Sequence, residues 1–184
     1  MKDLSTYINE SKRLWDLKGK RVGKIEVGGY NYHPQDRKEL GTLVYQLIQE
    51  RGIDADLNDI DTSEITDMSE LFRGSKFNGD ISDWDVSKVT NMKGMFYGSV
   101  FNGDISQWNV SNVTNMLRMF CYSEFNGDIS KWDVGNVKNM AGMFRSSKFN
   151  GDISRWDVRK VTNMINIFDT CPLKSYPPAW YKEK

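Results

Sequence analysis

The sequence predicts an α/β repeat solenoid of five 24-residue coils, with short parallel strands and short helices, capped by an N-terminal helical region. Three observations predict it. A 24-residue unit is written almost four times over residues 77–163, placing Phe77, Phe101, Phe125 and Phe149 in one column and Trp84, Trp108, Trp132 and Trp156 in another. A worn fifth copy precedes it: Leu57, Ile60, Ile65, Met68, Leu71 and Phe72 stand 24 residues before Ile81, Trp84, Val89, Met92, Met95 and Phe96. Immediately upstream, Leu40, Leu43, Val44, Leu47 and Ile48 recur at helical spacing. A fixed period of this size marks units too small to bury their own apolar faces, which must stack to do so.

Composition sets the outer bounds. With 184 residues, 39% hydrophobic and 27% charged, the chain reads as one globular domain of ordinary size. Twenty-five basic and 25 acidic residues leave no net field to attract nucleic acid or a membrane surface. No window reaches the run of about 18 apolar residues that a span requires. Residues 1–10 carry Asp3 and Glu10 where a signal peptide needs an apolar centre. There is no lipoprotein cysteine either, so a cytoplasmic or virion-associated location is expected unless the N-terminus was processed. Cys121 and Cys171 occupy non-equivalent repeat positions with a whole unit between them. Two coils of ~4.8 Å place them beyond disulfide reach. With a single histidine, His33, no metal-ligand spacing is present and no cofactor is expected.

In chain order, Leu4, Tyr7, Ile8 and Trp15 suggest a helix over 4–17, and Gly19 stops it. Val22, Ile25 and Val27 before Gly28-Gly29 suggest a short strand that Tyr30 and Tyr32 extend into a hairpin. His33-Pro34 opens a second helix that ends at Gly52. Residues 1–52 therefore form a cap over the first coil, 53–172 the repeats, and 173–184 a C-terminal cap begun where Tyr176, Pro177 and Pro178 break the pattern.

Within a unit, Ile81, Trp84, Val86, Val89 and Met92 follow the leucine-rich-repeat spacing, with valine where asparagine or cysteine would stand. That register makes Trp84-Asp85-Val86 the strand, sets Met92, Met95 and Phe96 on one or two helical turns, and turns every tryptophan inward. Phe77-Asn78-Gly79-Asp80 returns the chain, the glycine serving a positive φ or a close approach.

The unit FNGDIS-x-W-D/N-V-x-x-V-x-N-M-x-x-M-F, introduced by residues 55–61 and closed by Cys171-Pro172-Leu173-Lys174, Pro177-Pro178 and Trp180-Tyr181, resembles the BspA-like leucine-rich-repeat proteins. The resemblance covers about residues 34–184. It implies a bacterial surface-type protein that binds other proteins, sometimes as an adhesin, with no catalytic residues. Similar repeats occur in phage and mobile-element genomes, which adds a virion role to the alternatives.

The repeated polar columns remain. Asn78, Asn102, Asn126 and Asn150, each followed two residues on by Asp80, Asp104, Asp128 and Asp152, suit either calcium or turn amides. Catalysis needs a constellation that does not repeat, and none is written here, so no enzyme is expected. Lys12, Arg13, Lys18, Lys20, Arg21 and Lys24 crowd one segment, but Asp16 and Glu26 dilute it, and nucleic acid is not expected as a partner. The expectation is a non-catalytic protein-protein interaction or adhesion module. It binds an unidentified protein partner through the strand-lined face, at Asp83, Asp85, Gln107, Asn109, Lys131, Asp133, Arg155, Asp157 and Arg159. The column before each tryptophan (Asp59, Asp83, Gln107, Lys131, Arg155) and the column after each valine (Ser63, Ser87, Ser111, Gly135, Arg159) vary while their neighbours are copied. The alternatives are a carbohydrate- or calcium-binding lectin-like module and a structural component of a phage virion or other assembly.

Overall fold

The computed structural model describes residues 30–182; the helix expected over 4–17 and the strand near 22–27 lie outside the described residues. The first described element is helix α1, Arg37–Arg51. The Asp36 carboxylate caps it by accepting from the Lys38 and Glu39 amides at 2.8 and 2.9 Å. Gly52 ends it at φ 98, its N–H returning to Ile48 O, a backbone conformation that side-chain-bearing residues avoid. The expected apolar stripe is the buried face: Leu40, Val44 and Leu47 are inside and Leu43 and Ile48 half-buried against the same core.

The α/β assignment is overturned. Among the described residues there is one α-helix, one 3-10 turn at Pro172–Lys174, and no strand or sheet, only isolated parallel bridges. The backbone hydrogen bonds explain why. The Trp84 amide returns to Ile81 O and the Val89 amide to Val86 O, so Trp84-Asp85-Val86 is a corner between two turns, with neither of these amides paired to a neighbouring unit. The supposed helical turn also fails. Met92, Gly94, Phe96 and Gly98 donate to the next unit, while Met95, Tyr97 and Ser99 close three-residue turns within their own. With amides alternating this way, no i to i−4 ladder can form.

These alternating turns need left-handed residues at two positions of every unit. One column holds Glu70, Gly94, Arg118, Gly142 and Asn166 at φ 55 to 59, and the other Gly74, Gly98, Tyr122, Ser146 and Thr170 at φ 53 to 64. The units 53–76, 77–100, 101–124, 125–148 and 149–172 nevertheless stack in register. Sixteen amides in the first four units, at positions equivalent to Met92, Gly94, Phe96 and Gly98, each donate to a carbonyl of the following unit at 2.7 to 3.0 Å. Single-residue parallel bridges join Asp67, Asn91, Asn115, Asn139 and Asn163 in sequence.

Three aromatic columns fill the core. Phe72, Phe96, Phe120, Phe144 and Phe168 stack with centroids 5.5 to 6.1 Å apart. Phe77, Phe101, Phe125 and Phe149 run beside them at 6.2 to 6.4 Å. The tryptophans are buried as expected, 3 to 4% exposed, each donating its indole N–H to the carbonyl of the residue 27 earlier, Leu57, Ile81, Ile105 and Ile129. The glycine of the return turn serves the close approach: a Cβ on Gly127 would lie 2.9 Å from the Phe125 ring. Cys121 and Cys171 are buried free thiols, as their spacing predicts.

The two ends differ. At the first, Tyr32 bridges Ile60, Arg37 Nε donates to Ser69 O at 2.6 Å, and Arg51 forks onto both Asp59 oxygens at 2.9 Å. At the last, Pro172 occupies the position whose amide, in Val100, Glu124 and Lys148, bonds back to a serine carbonyl. Proline has no amide to give, and the full units stop there. A fragment continues in register even so: Trp180, 24 residues after Trp156, donates to Ile153 O at 2.8 Å and packs 5.9 Å from Phe168.

Candidate interaction surface

All nine residues expected at the interface are exposed, on the edge formed by the two turns around each tryptophan. The corner is built by side chains that cap their own turns. Asp80 Oδ1, Asp104 Oδ1, Asp128 Oδ1 and Asp152 Oδ1 each accept the amide two residues on at 2.8 to 2.9 Å. After the tryptophan, Asp85, Asn109, Asp133 and Asp157 repeat the device at 2.9 to 3.2 Å. Four of the nine therefore have a turn to hold, which explains why that column stays Asp or Asn. The column before the tryptophan has no such duty. Asp83, Gln107, Lys131 and Arg155 project from a fixed backbone, and Gln107 makes only a local bond to Ser106 Oγ at 3.0 Å.

Electrostatics grade this edge along the stack. Asp59 heads the column but is withdrawn from it: burial pushes its carboxyl up, and hydrogen bonds from Arg51 and Asn31 more than offset this, holding it below the usual range. At the far end the Arg159 guanidinium donates to both Asp157 oxygens at 2.8 and 2.7 Å, depressing that carboxyl to about 2. Arg159 is thus a fully solvated partner of its own unit, whereas Lys131 and Arg155 face solvent from turns that other atoms hold.

The oxygen ladders take the turn alternative. Asn78, Asn102 and Asn126 each accept, through Oδ1, the backbone amide of the next asparagine in the column at 2.7 Å. The amides of Ser82, Ser130 and Ser154 lower the carboxyls of Asp80, Asp128 and Asp152. Among the described residues no group of three or more His, Cys, Asp or Glu side chains could hold a metal ion. His33 sits in the turn before α1, 3.0 Å from Asp61 Oδ2. Two shallow grooves, of about 380 and 290 Å³, run along the Asn-Gly-Asp turns at either end and open broadly to solvent. No helix among the described residues is long and apolar enough to cross a membrane.

Sequence reasoning missed three bracing contacts on this edge. Asn58 Oδ1 accepts the Asp83 amide at 3.0 Å, and Asn112 and Asn136 reach back to Ser87 O and Ser111 O at 2.7 and 2.8 Å. The 24-residue recurrence of Asn112 and Asn136 was the available signal.

No curated protein and no solved structure matches the chain. Residues 42–144 and 101–176 match a family described as Mycoplasma protein of unknown function, DUF285. They take in α1 from Thr42 onward and all five units, and the chain belongs to that repeat family.

Proposed function

We propose that the chain is a non-catalytic module that binds a protein partner through the turn-lined edge carrying Asp83, Gln107, Lys131 and Arg155. One observation carries this. The residue after each tryptophan is held by a turn cap, whereas the residue before it is exposed, caps no turn and is different in every copy. A row of four such positions, stepping from acid to base at the stack's spacing, suits an extended protein surface, with arginine and lysine as anchors at one end. The open grooves support a macromolecule over an enclosed small ligand. The resemblance to BspA-like repeat proteins supports the same class of function.

The test is an affinity capture from the source organism's extract with the immobilised chain, followed by titration of the recovered protein against the Lys131→Glu/Arg155→Glu/Arg159→Glu variant. Melting should stay within a degree or two, because these are solvated side chains. Binding should weaken at least roughly tenfold, the loss of ~1.4 kcal/mol. Unchanged affinity in the folded variant moves the site off this edge.

A further inference from the structure

We infer that the last unit is a docking edge for a polypeptide segment of another protein, one that lies parallel to residues 162–170 and presents four acceptor carbonyls at alternate residues. In the first four units, the amides equivalent to Met164, Asn166, Phe168 and Thr170 all donate to the next unit. In the last, these four amides have no partner among the described residues. Thr162 O is left over too: its counterparts Thr90 O and Lys138 O each accept two backbone amides from the following unit, at 2.9 to 3.3 Å.

The apolar surface beside this row is open at the same place. Val134, Val137 and Met140 are buried at 0 to 1% exposure, yet their counterparts Val158, Val161 and Met164 are only half-buried, and Ile165 is 69% exposed. The C-terminal fragment covers the other half of the unit, where Leu173 and Trp180 lie over the phenylalanine and isoleucine columns. Four donors without a partner among the described residues, beside a half-buried apolar strip, are the unfinished half of a contact that the molecule makes four times over.

The polarity of the row selects the occupant. A second copy cannot pair through the same end, because donors would meet donors. It cannot offer its first end either, since there Ser69 O is taken by Arg37 and α1 lies against Leu71. What fits is a segment with the chemistry of this chain's own unit: a bridging residue whose amide reaches Thr162 O and whose carbonyl meets Met164, then carbonyls two, four and six residues on. Apolar side chains two residues before the bridge and one after it would cover Val161 and Met164, as Val161 and Met164, flanking Asn163 in the same way, cover Val137 and Met140. This surface is separate from the Lys131 and Arg155 edge.

The probe is a synthetic peptide with the sequence of residues 134–148, added to the full chain while amide hydrogen exchange is followed by nuclear magnetic resonance. Without peptide, the amides of Met164, Asn166, Phe168 and Thr170 should exchange faster than those of Met140, Gly142, Phe144 and Ser146. With it, they should slow roughly tenfold or more, saturably, and a scrambled peptide should have no effect. The Lys131→Glu/Arg155→Glu/Arg159→Glu variant should respond identically, which separates this test from that of the proposed function. Equal protection of the two sets before addition overturns the inference, as does protection elsewhere in the chain. Protection that grows with protein concentration alone would show a second copy in place and also overturn it.

Discussion

The two ends of the stack solve one problem with unequal completeness. At the first end, an amphipathic helix supplies Leu40, Val44 and Leu47 as a lid, and two arginines give the outermost coil the donors it lacks: Arg37 to Ser69 O, Arg51 to Asp56 O and the Asp59 carboxylate. At the last end, the polypeptide itself runs on for half a unit, so Trp180 keeps the indole column going while the amides of 164, 166, 168 and 170 find no partner among the described residues. The contrast teaches that finishing such a stack takes two separate things, apolar cover and the correct polarity of hydrogen-bonding partner. A foreign helix can bring both, and a fragment of the repeat brings them only for the residues it retains.

The largest difference should appear on truncation. Removing residues 1–52 strips the lid and should drive the chain into aggregates in size-exclusion chromatography. Removing residues 176–184 should lower the melting temperature while leaving a soluble chain. Equal outcomes would erase the distinction. A finer version compares two tryptophans of one column. Trp132→Ala, mid-stack and fully enclosed, should cost about 3 to 5 kcal/mol in denaturant unfolding, and Trp180→Ala, half-buried at the end, less than half of that.

Acid should loosen the clamp at the first end. The Asp59 carboxyl is held below its unfolded value of about 4, so its contribution is complete above that pH and fades as pH falls through the folded value. Asp59→Asn should therefore melt lower than the parent at pH 7 and show a shallower decline below about pH 4; parallel curves would remove the clamp from the account of this end. The smallest effect is expected within the left-handed columns. Arg118→Gly should stabilise by ~0.5 to 1 kcal/mol by relieving a conformation at φ 55, and Gly94→Val, at φ 58 in the same column, should destabilise by about 1 to 2 kcal/mol.

Much of this was legible in the sequence. The period, the inward tryptophans and α1 follow from where apolar residues recur, because burial is decided by side-chain position whatever the backbone does between. The strands and helical turns were not, because the leucine-rich spacing fixes which residues face inward and says nothing of where their amides go. The signal that the backbone runs through left-handed turns was present but dilute: glycine holds two of five places in each column, and Glu70, Arg118, Asn166, Tyr122, Ser146 and Thr170 hold the rest. Trp180 stood in perfect register with Trp156, and Pro177-Pro178 concealed it. On the candidate edge, exposure was foreseeable from the alternation around each tryptophan. The division between turn-capping Asp85 and idle Asp83 was not, since both are aspartates one residue from the same ring.

The unit-to-unit bonds also dictate how the molecule would answer a mechanical load. Each successive pair of units from 53 to 172 is tied by the same four amides and by the Phe72-to-Phe168 column, so no unit inside the stack is much stronger than the next. Pulled from its two termini, the chain should peel from the half-covered end, one unit at a time, each step paying out ~80 Å of extended polypeptide against a force that hardly changes. The last unit to yield would be the one beneath α1, where Arg51 and Arg37 fasten helix and coil together.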